Sequence, residues 1–84
     1  MNLDGLRIFC DVVQHRSFSR AATVNNVSQS AATQSVHRVE DHFGVQLIDR
    51  SRRPFVLTPE GEICYEGFRE VLEAYDAVEA RVRI

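Results

Sequence analysis

Apolar residues recur along this chain mostly in helical periods. Between Gln29 and Phe43, Ala32, Val36, Val39 and Phe43 follow at steps of four, three and four, one stripe of a helix with 3.6 residues per turn. Ser30, Thr33, Gln34 and His37 fall on another face at i, i+3, i+4 and i+7. That second face is polar but almost uncharged. Its side chains both donate and accept hydrogen bonds, whereas an ordinary solvated face carries Glu and Lys. A neutral hydrogen-bonding face suits the reading of base edges in a DNA major groove. An idle Ser/Thr/Gln-rich surface is the alternative, and the flanking segments decide between them.

Upstream, Leu3, Leu6, Phe9 or Cys10, and Val13 predict a first helix over Leu3 to His15, with Asn2 as its N-cap. Ser17 caps a second helix, Phe18 to Val24, whose small Ala21 and Ala22 point inward and let another helix come close. Asn25-Asn26 ends it, Val27 anchors the turn, and Ser28 caps the third helix, which stops at Gly44. Helix, turn of about four residues, helix is the helix-turn-helix pattern.

Downstream, Val45 to Ile48 and Phe55 to Thr58 are short β-rich runs either side of Arg52-Arg53-Pro54. Pro54 suits a turn or edge. The pair reads as a hairpin, a wing whose arginine tip fits a narrow minor groove; a solvated surface turn is the alternative. Thr58-Pro59-Glu60 then starts a long helix with a hydroxyl cap, proline at its first position and acid in its first turn. Cys64, Phe68, Val71, Tyr75, Val78 and Val82 follow a 3.5-residue repeat, and a stripe that long predicts a dimerisation seam. Its first third, around Ile63 to Phe68, is expected to pack on the first helix, with Gly61 and Gly67 allowing close approach.

Composition changes this picture little. Eighty-four residues make one small core, and the chain has neither a membrane-length apolar run nor a signal-peptide pattern, so a cytoplasmic protein without membrane contact is expected. Cys10 and Cys64 are too few for a disulfide framework or thiolate metal site and read as small buried groups. The net charge of −2 is unevenly spread. Residues 1–59 hold seven Arg against five acids, and residues 60–84 three Arg against seven. Every base is Arg, whose planar fork suits phosphate and guanine. His37 and His42 are out of metal-binding register, with His42 read as a solvent-exposed ring at the helix end. No nucleophile elbow or phosphate-binding glycine loop is present, so neither enzyme activity nor a cofactor is expected.

Ser17-Phe-Ser-Arg-Ala-Ala22, Val27-Ser-Gln-Ser-Ala-Ala-Thr33, Val39-Glu40, Phe43-Gly-Val-Gln-Leu47, Asp49-Arg50-Ser51 and Leu57-Thr-Pro-Glu-Gly61 occur in unbroken order. Their combination resembles the LysR-type transcriptional regulators. The resemblance implies a mainly α fold: a winged helix-turn-helix of three helices and a two-stranded β wing in residues 1–58, then a linker and dimerisation helix in residues 59–84. It also implies a larger effector-binding domain outside these 84 residues, through which a small-molecule effector would act. The implied partners are a double-stranded DNA operator and a second copy of the chain. Ser30, Thr33, Gln34 and His37 would reach bases, while Gln29, Arg38 and capping N–H groups hold phosphate; Ala31 is counted with the DNA-binding residues. Arg52 and Arg53 would sit on the wing. Arg50 either touches phosphate or pairs internally with Glu40 or Asp49. Departures are Asn25 for a usual Leu, met either by Val24 or by a reshaped turn, Ser30 for a frequent Pro, and Gln34 for a frequent Arg, which exchanges a guanine fork for an amide suited to adenine. The rival reading is a winged-helix protein-interaction module without specific DNA binding.

Overall fold

The computed structural model describes residues 1–83. Its elements are α1 (Leu3–His15), α2 (Phe18–Val24), α3 (Gln29–Phe43), β1 (Ile48–Asp49), β2 (Val56–Leu57) and α4 (Pro59–Val82). The cap residues explain these bounds. Asn2, Ser17, Ser28 and Thr58 each accept a first-turn N–H, from Gly5, Arg20, Ala31 and Gly61 respectively, which satisfies donors that the helix itself leaves free. Arg16 and Gly44 close α1 and α3 in the left-handed region, at φ 52° and 70°. Asn26 does the same in the turn after α2, at φ 57°.

The first three helices pack mutually around Phe9, Val12, Ala21, Ala32, Val36 and Val39, all of them fully buried. Ala21 and Ala32 are the small residues that let α2 and α3 approach. Leu47 and Ile48 close the core from the wing side. The paired wing is shorter than the β-rich runs suggested: Ile48 pairs with Leu57 and Asp49 with Val56, antiparallel.

Asn25 meets its departure from the family pattern by a hydrogen bond. Its amide donates to Asp11 Oδ2 and to the Ala21 carbonyl, each at 2.8 Å, while Val24 stays 59% exposed and fills nothing. Phe43 is also outside the core, half-exposed with its ring 6.1 Å from that of Phe68.

The start of α4 is set hard against Gln46 and Leu47, the residues leading into β1. Thr58 Oγ1 donates to the Gln46 carbonyl at 2.7 Å and Thr58 N–H donates to the Leu47 carbonyl at 3.0 Å. A Cβ at Gly61 would lie 2.0 Å from the Leu47 carbonyl oxygen, so only glycine fits there. Gly67 has nothing comparable beside it, and its expected close approach is not made.

Along α4 the expected seam divides. Cys64, Tyr65, Phe68 and Leu72 turn toward the domain, with Phe68 edge-on to Phe9 at 5.8 Å between ring centres. Cys64 and Phe68, counted in the expected seam, are partly buried against this chain's own core, as expected for the first third of the helix. Ile63, expected to pack inward, is 72% exposed. Val71, Tyr75, Val78 and Val82 remain exposed. Arg7 and Asp76 tie the two helices beyond Leu72, Nη2 to Oδ1 at 2.6 Å. The arginine lowers the carboxyl pKa of Asp76 below its ordinary value, and that hydrogen bond raises the guanidinium's own. Among the described residues no helix is long and apolar enough to cross a membrane.

Candidate nucleic-acid interface

The site is built on α3, whose buried stripe fixes which side faces out. With Ala32, Val36, Val39 and Glu40 buried, Gln29, Ser30, Gln34, His37 and Arg38 are exposed, and Ala31 and Thr33 are half-buried. The two ends of the helix differ in what they offer. At its N-terminus the Ala31 N–H is already taken by Ser28 Oγ at 3.0 Å, which leaves neighbouring first-turn amides to meet an anion. Toward its C-terminus Arg38 is exposed and makes no ion pair within the described residues.

Arg52 and Arg53 are exposed in the tip between β1 and β2, and they too have no ion-pair partner among the described residues. The wing beneath them is braced at both sides. Phe55 meets Phe18 edge-on at 5.7 Å, and its carbonyl accepts from Arg16 Nη1 at 3.5 Å. Asp49 Oδ1 accepts from Ser51 N–H at 3.0 Å and from Ser51 Oγ at 2.6 Å. Those two bonds hold the Asp49 carboxyl below the usual carboxylate range.

Arg50 takes the internal pairing rather than a free position at the interface. Its Nη2 lies 3.2 Å from Glu40 Oε1 and its Nη1 3.4 Å from Oε2, and its guanidinium also sits over the Phe18 ring at 5.8 Å. Glu40 is the residue that sequence reasoning undervalued. Its side chain is 8% exposed, and Oε2 accepts from the Leu47 and Ile48 N–H groups at 2.8 and 3.3 Å. Burial alone would raise its pKa, but the bonds from Leu47, Arg50 and Ile48 outweigh that and lower it. One carboxylate thus joins the end of α3 to the first strand of the wing. A signal was present in the chain: an acid beside Val39 and four residues after Val36 stands on the apolar side of the helix, where an unpaired charge is costly.

Cys10 is buried among apolar groups, and desolvation pushes its thiol up to about 11. It is a core residue.

A helix-turn-helix with an adjoining hairpin, an almost uncharged polar stripe exposed on its third helix and exposed arginines on that helix and on the hairpin tip, is a winged helix-turn-helix. The chain belongs to the lysR family of bacterial regulatory helix-turn-helix proteins, whose family model matches residues 3–62. A probable hydrogen peroxide-inducible genes activator of Mycobacterium xenopi is 44% identical over 78 residues, which is 93% of this chain and 41% of that protein. The transcriptional regulator BenM of Acinetobacter baylyi is 34% identical over 76 residues, 90% of this chain and 25% of its own. The chain therefore spans less than half the length of either relative. Among solved structures, a BenM DBD/catB site 1 DNA complex superposes with TM-score 0.92 at 31% identity, covering 99% of this chain and 89% of that one. Vibrio fischeri DarR in complex with DNA gives 0.90 at 28% identity, with 99% and 28% covered.

Proposed function

We propose that this chain is the DNA-binding part of a longer, cytoplasmic LysR-type transcriptional regulator and binds double-stranded DNA sequence-specifically as a dimer. The observation that carries this is the outer face of α3. Ser30, Thr33, Gln34 and His37 form an almost uncharged hydrogen-bonding stripe, with exposed arginines next to it in the chain at Arg38 and on the wing at Arg52 and Arg53. Such a stripe matches the donor and acceptor pattern of major-groove base edges, and the arginines match phosphate and the minor groove. The DNA complexes of BenM and DarR, superposing along nearly the whole chain, support the same reading. Gln29 and Arg38 would hold phosphate and set the helix in register.

Two copies joined along the outer face of α4 would present two α3 helices to an interrupted inverted repeat. Selection of bound fragments from a random DNA pool tests the reading, and enrichment of such a repeat is the expected result. No enrichment over input would overturn it and favour a protein-interaction module. On the selected site, Thr33→Ala or Gln34→Ala should cost about 1–3 kcal/mol of discrimination against scrambled DNA. Equal loss on both DNAs would remove these residues from base reading.

A further inference from the structure

His37 stands on α3 with its ring 54% exposed and Nδ1 3.4 Å from Glu40 Oε1. That carboxylate is held in place. Leu47 and Ile48 N–H groups pin Oε2, and Arg50 spans both oxygens. Oε1 accepts from Arg50 Nη2 on one side, and a carboxylate oxygen has a second lone pair to offer. The other charged groups around the ring are Asp41 on the same helix and Arg50 from the wing base, which line one recess with Gly44, Val45 and Gln46. Arg50 is already engaged by Glu40. The Oε1 lone pair facing Nδ1 at 3.4 Å favours the ring proton on that nitrogen. A neutral imidazole has only one proton, so Nε2 is then left as an acceptor.

We propose that Glu40 sets the tautomer of His37, and that His37 thereby reads a major-groove amino group, adenine N6 or cytosine N4, through Nε2. The inference rests on α3 being the helix that enters the groove. Guanine presents only acceptors in that groove and thymine an acceptor and a methyl, so a bare Nε2 rejects both. His37 is the specificity residue, and Glu40 is a positioning residue acting through it.

The tautomer is read without DNA, by long-range proton–nitrogen correlation of the imidazoles at alkaline pH. The expected spectrum shows the His37 proton on Nδ1; a proton on Nε2 overturns the inference. E40Q removes the charge and should abolish the Nδ1 preference, and an unchanged spectrum in folded E40Q overturns the role of Glu40. Should E40Q fail to fold, the native spectrum still decides. Selection from random DNA supplies the second arm. The native protein should require adenine or cytosine at one position, and H37A should lose about three- to tenfold of that preference, the range of one net hydrogen bond. Unchanged preferences in H37A overturn this inference and leave the proposed function standing. Failure of the native protein to select any sequence overturns both.

Discussion

Glu40 concentrates more of the structure in one side chain than any other polar residue. Its four donor contacts come from two backbone amides and one guanidinium. Glu40→Ala would leave the Leu47 and Ile48 N–H groups unpaired, at about 1–3 kcal/mol each, so unfolding in urea should show a loss of roughly 2–5 kcal/mol. The pH dependence follows from the direction of its shift. Its folded pKa lies below the ordinary value, so its contribution is fully present above the unfolded carboxyl pKa and is lost as pH falls through the folded one. Native stability should therefore fall on the acid side, and Glu40→Gln should flatten that limb of a urea midpoint plotted against pH. The two helical glycines make a paired test at the same scale. Gly61→Ala must push a methyl into the Leu47 carbonyl and should lower the thermal midpoint, at a cost of about 1–3 kcal/mol. Gly67→Ala meets nothing and should raise it, by about 0.5–1 kcal/mol of helix propensity.

Among the elements, α4 is where two adjacent residues should behave in opposite ways. Leu72 is 8% exposed and faces the core, while Val71 is 48% exposed and faces away. Leu72→Ala should cost about 2–4 kcal/mol of fold stability. Val71→Asp should leave the fold intact by circular dichroism and yield a monomer by sedimentation. A mutant that stays dimeric would put the interface elsewhere. The same helix shows what could be read in advance and what could not. Its start was legible in Thr58-Pro59-Glu60, as were the bounds of α1, α2 and α3, because caps are local chemistry. Its division was legible only in outline: Ile63 to Phe68 was expected against α1, where Phe68 does pack on Phe9 while Ile63 is exposed. A 3.5-residue repeat shows that a helix carries an apolar stripe but not which flank a neighbour covers, and Leu72 lay off the counted repeat while Cys64 and Phe68 lay on it. The position of α1 decides that, through Phe9 against Phe68 and Arg7 against Asp76. Likewise the exposed stripe of α3 was legible from spacing, whereas the choice of Glu40 over Asp49 as the partner of Arg50 needed the wing in place, with Ser51 already occupying Asp49.

For the molecule as a whole, the net charge of −2 conceals two unlike segments, residues 1–59 with more Arg than acid and residues 60–84 with more acid than Arg. The acids of residues 60–84 lie along α4, where nearly every residue from Glu73 to Arg83 is exposed. Its 24 residues extend about 36 Å at 1.5 Å per residue, and the molecule is 46 Å along its longest axis. The free cations Arg38, Arg52 and Arg53 belong to the other part, on α3 and the wing. Surface charges act mainly within about 8 Å at physiological salt, so the local cations Arg38, Arg52 and Arg53, more than the overall sign, govern attraction to phosphate. With few cations per protomer, binding should depend only moderately on salt. If Arg53 neutralises one phosphate, Arg53→Ala should weaken binding to selected and scrambled DNA alike. It should also reduce the slope of log K against log salt by about 0.9 per protomer. Titrations at several salt concentrations measure both quantities. An unchanged slope would take Arg53 off the phosphates, and a loss confined to the selected sequence would make the wing a reader of bases or groove shape.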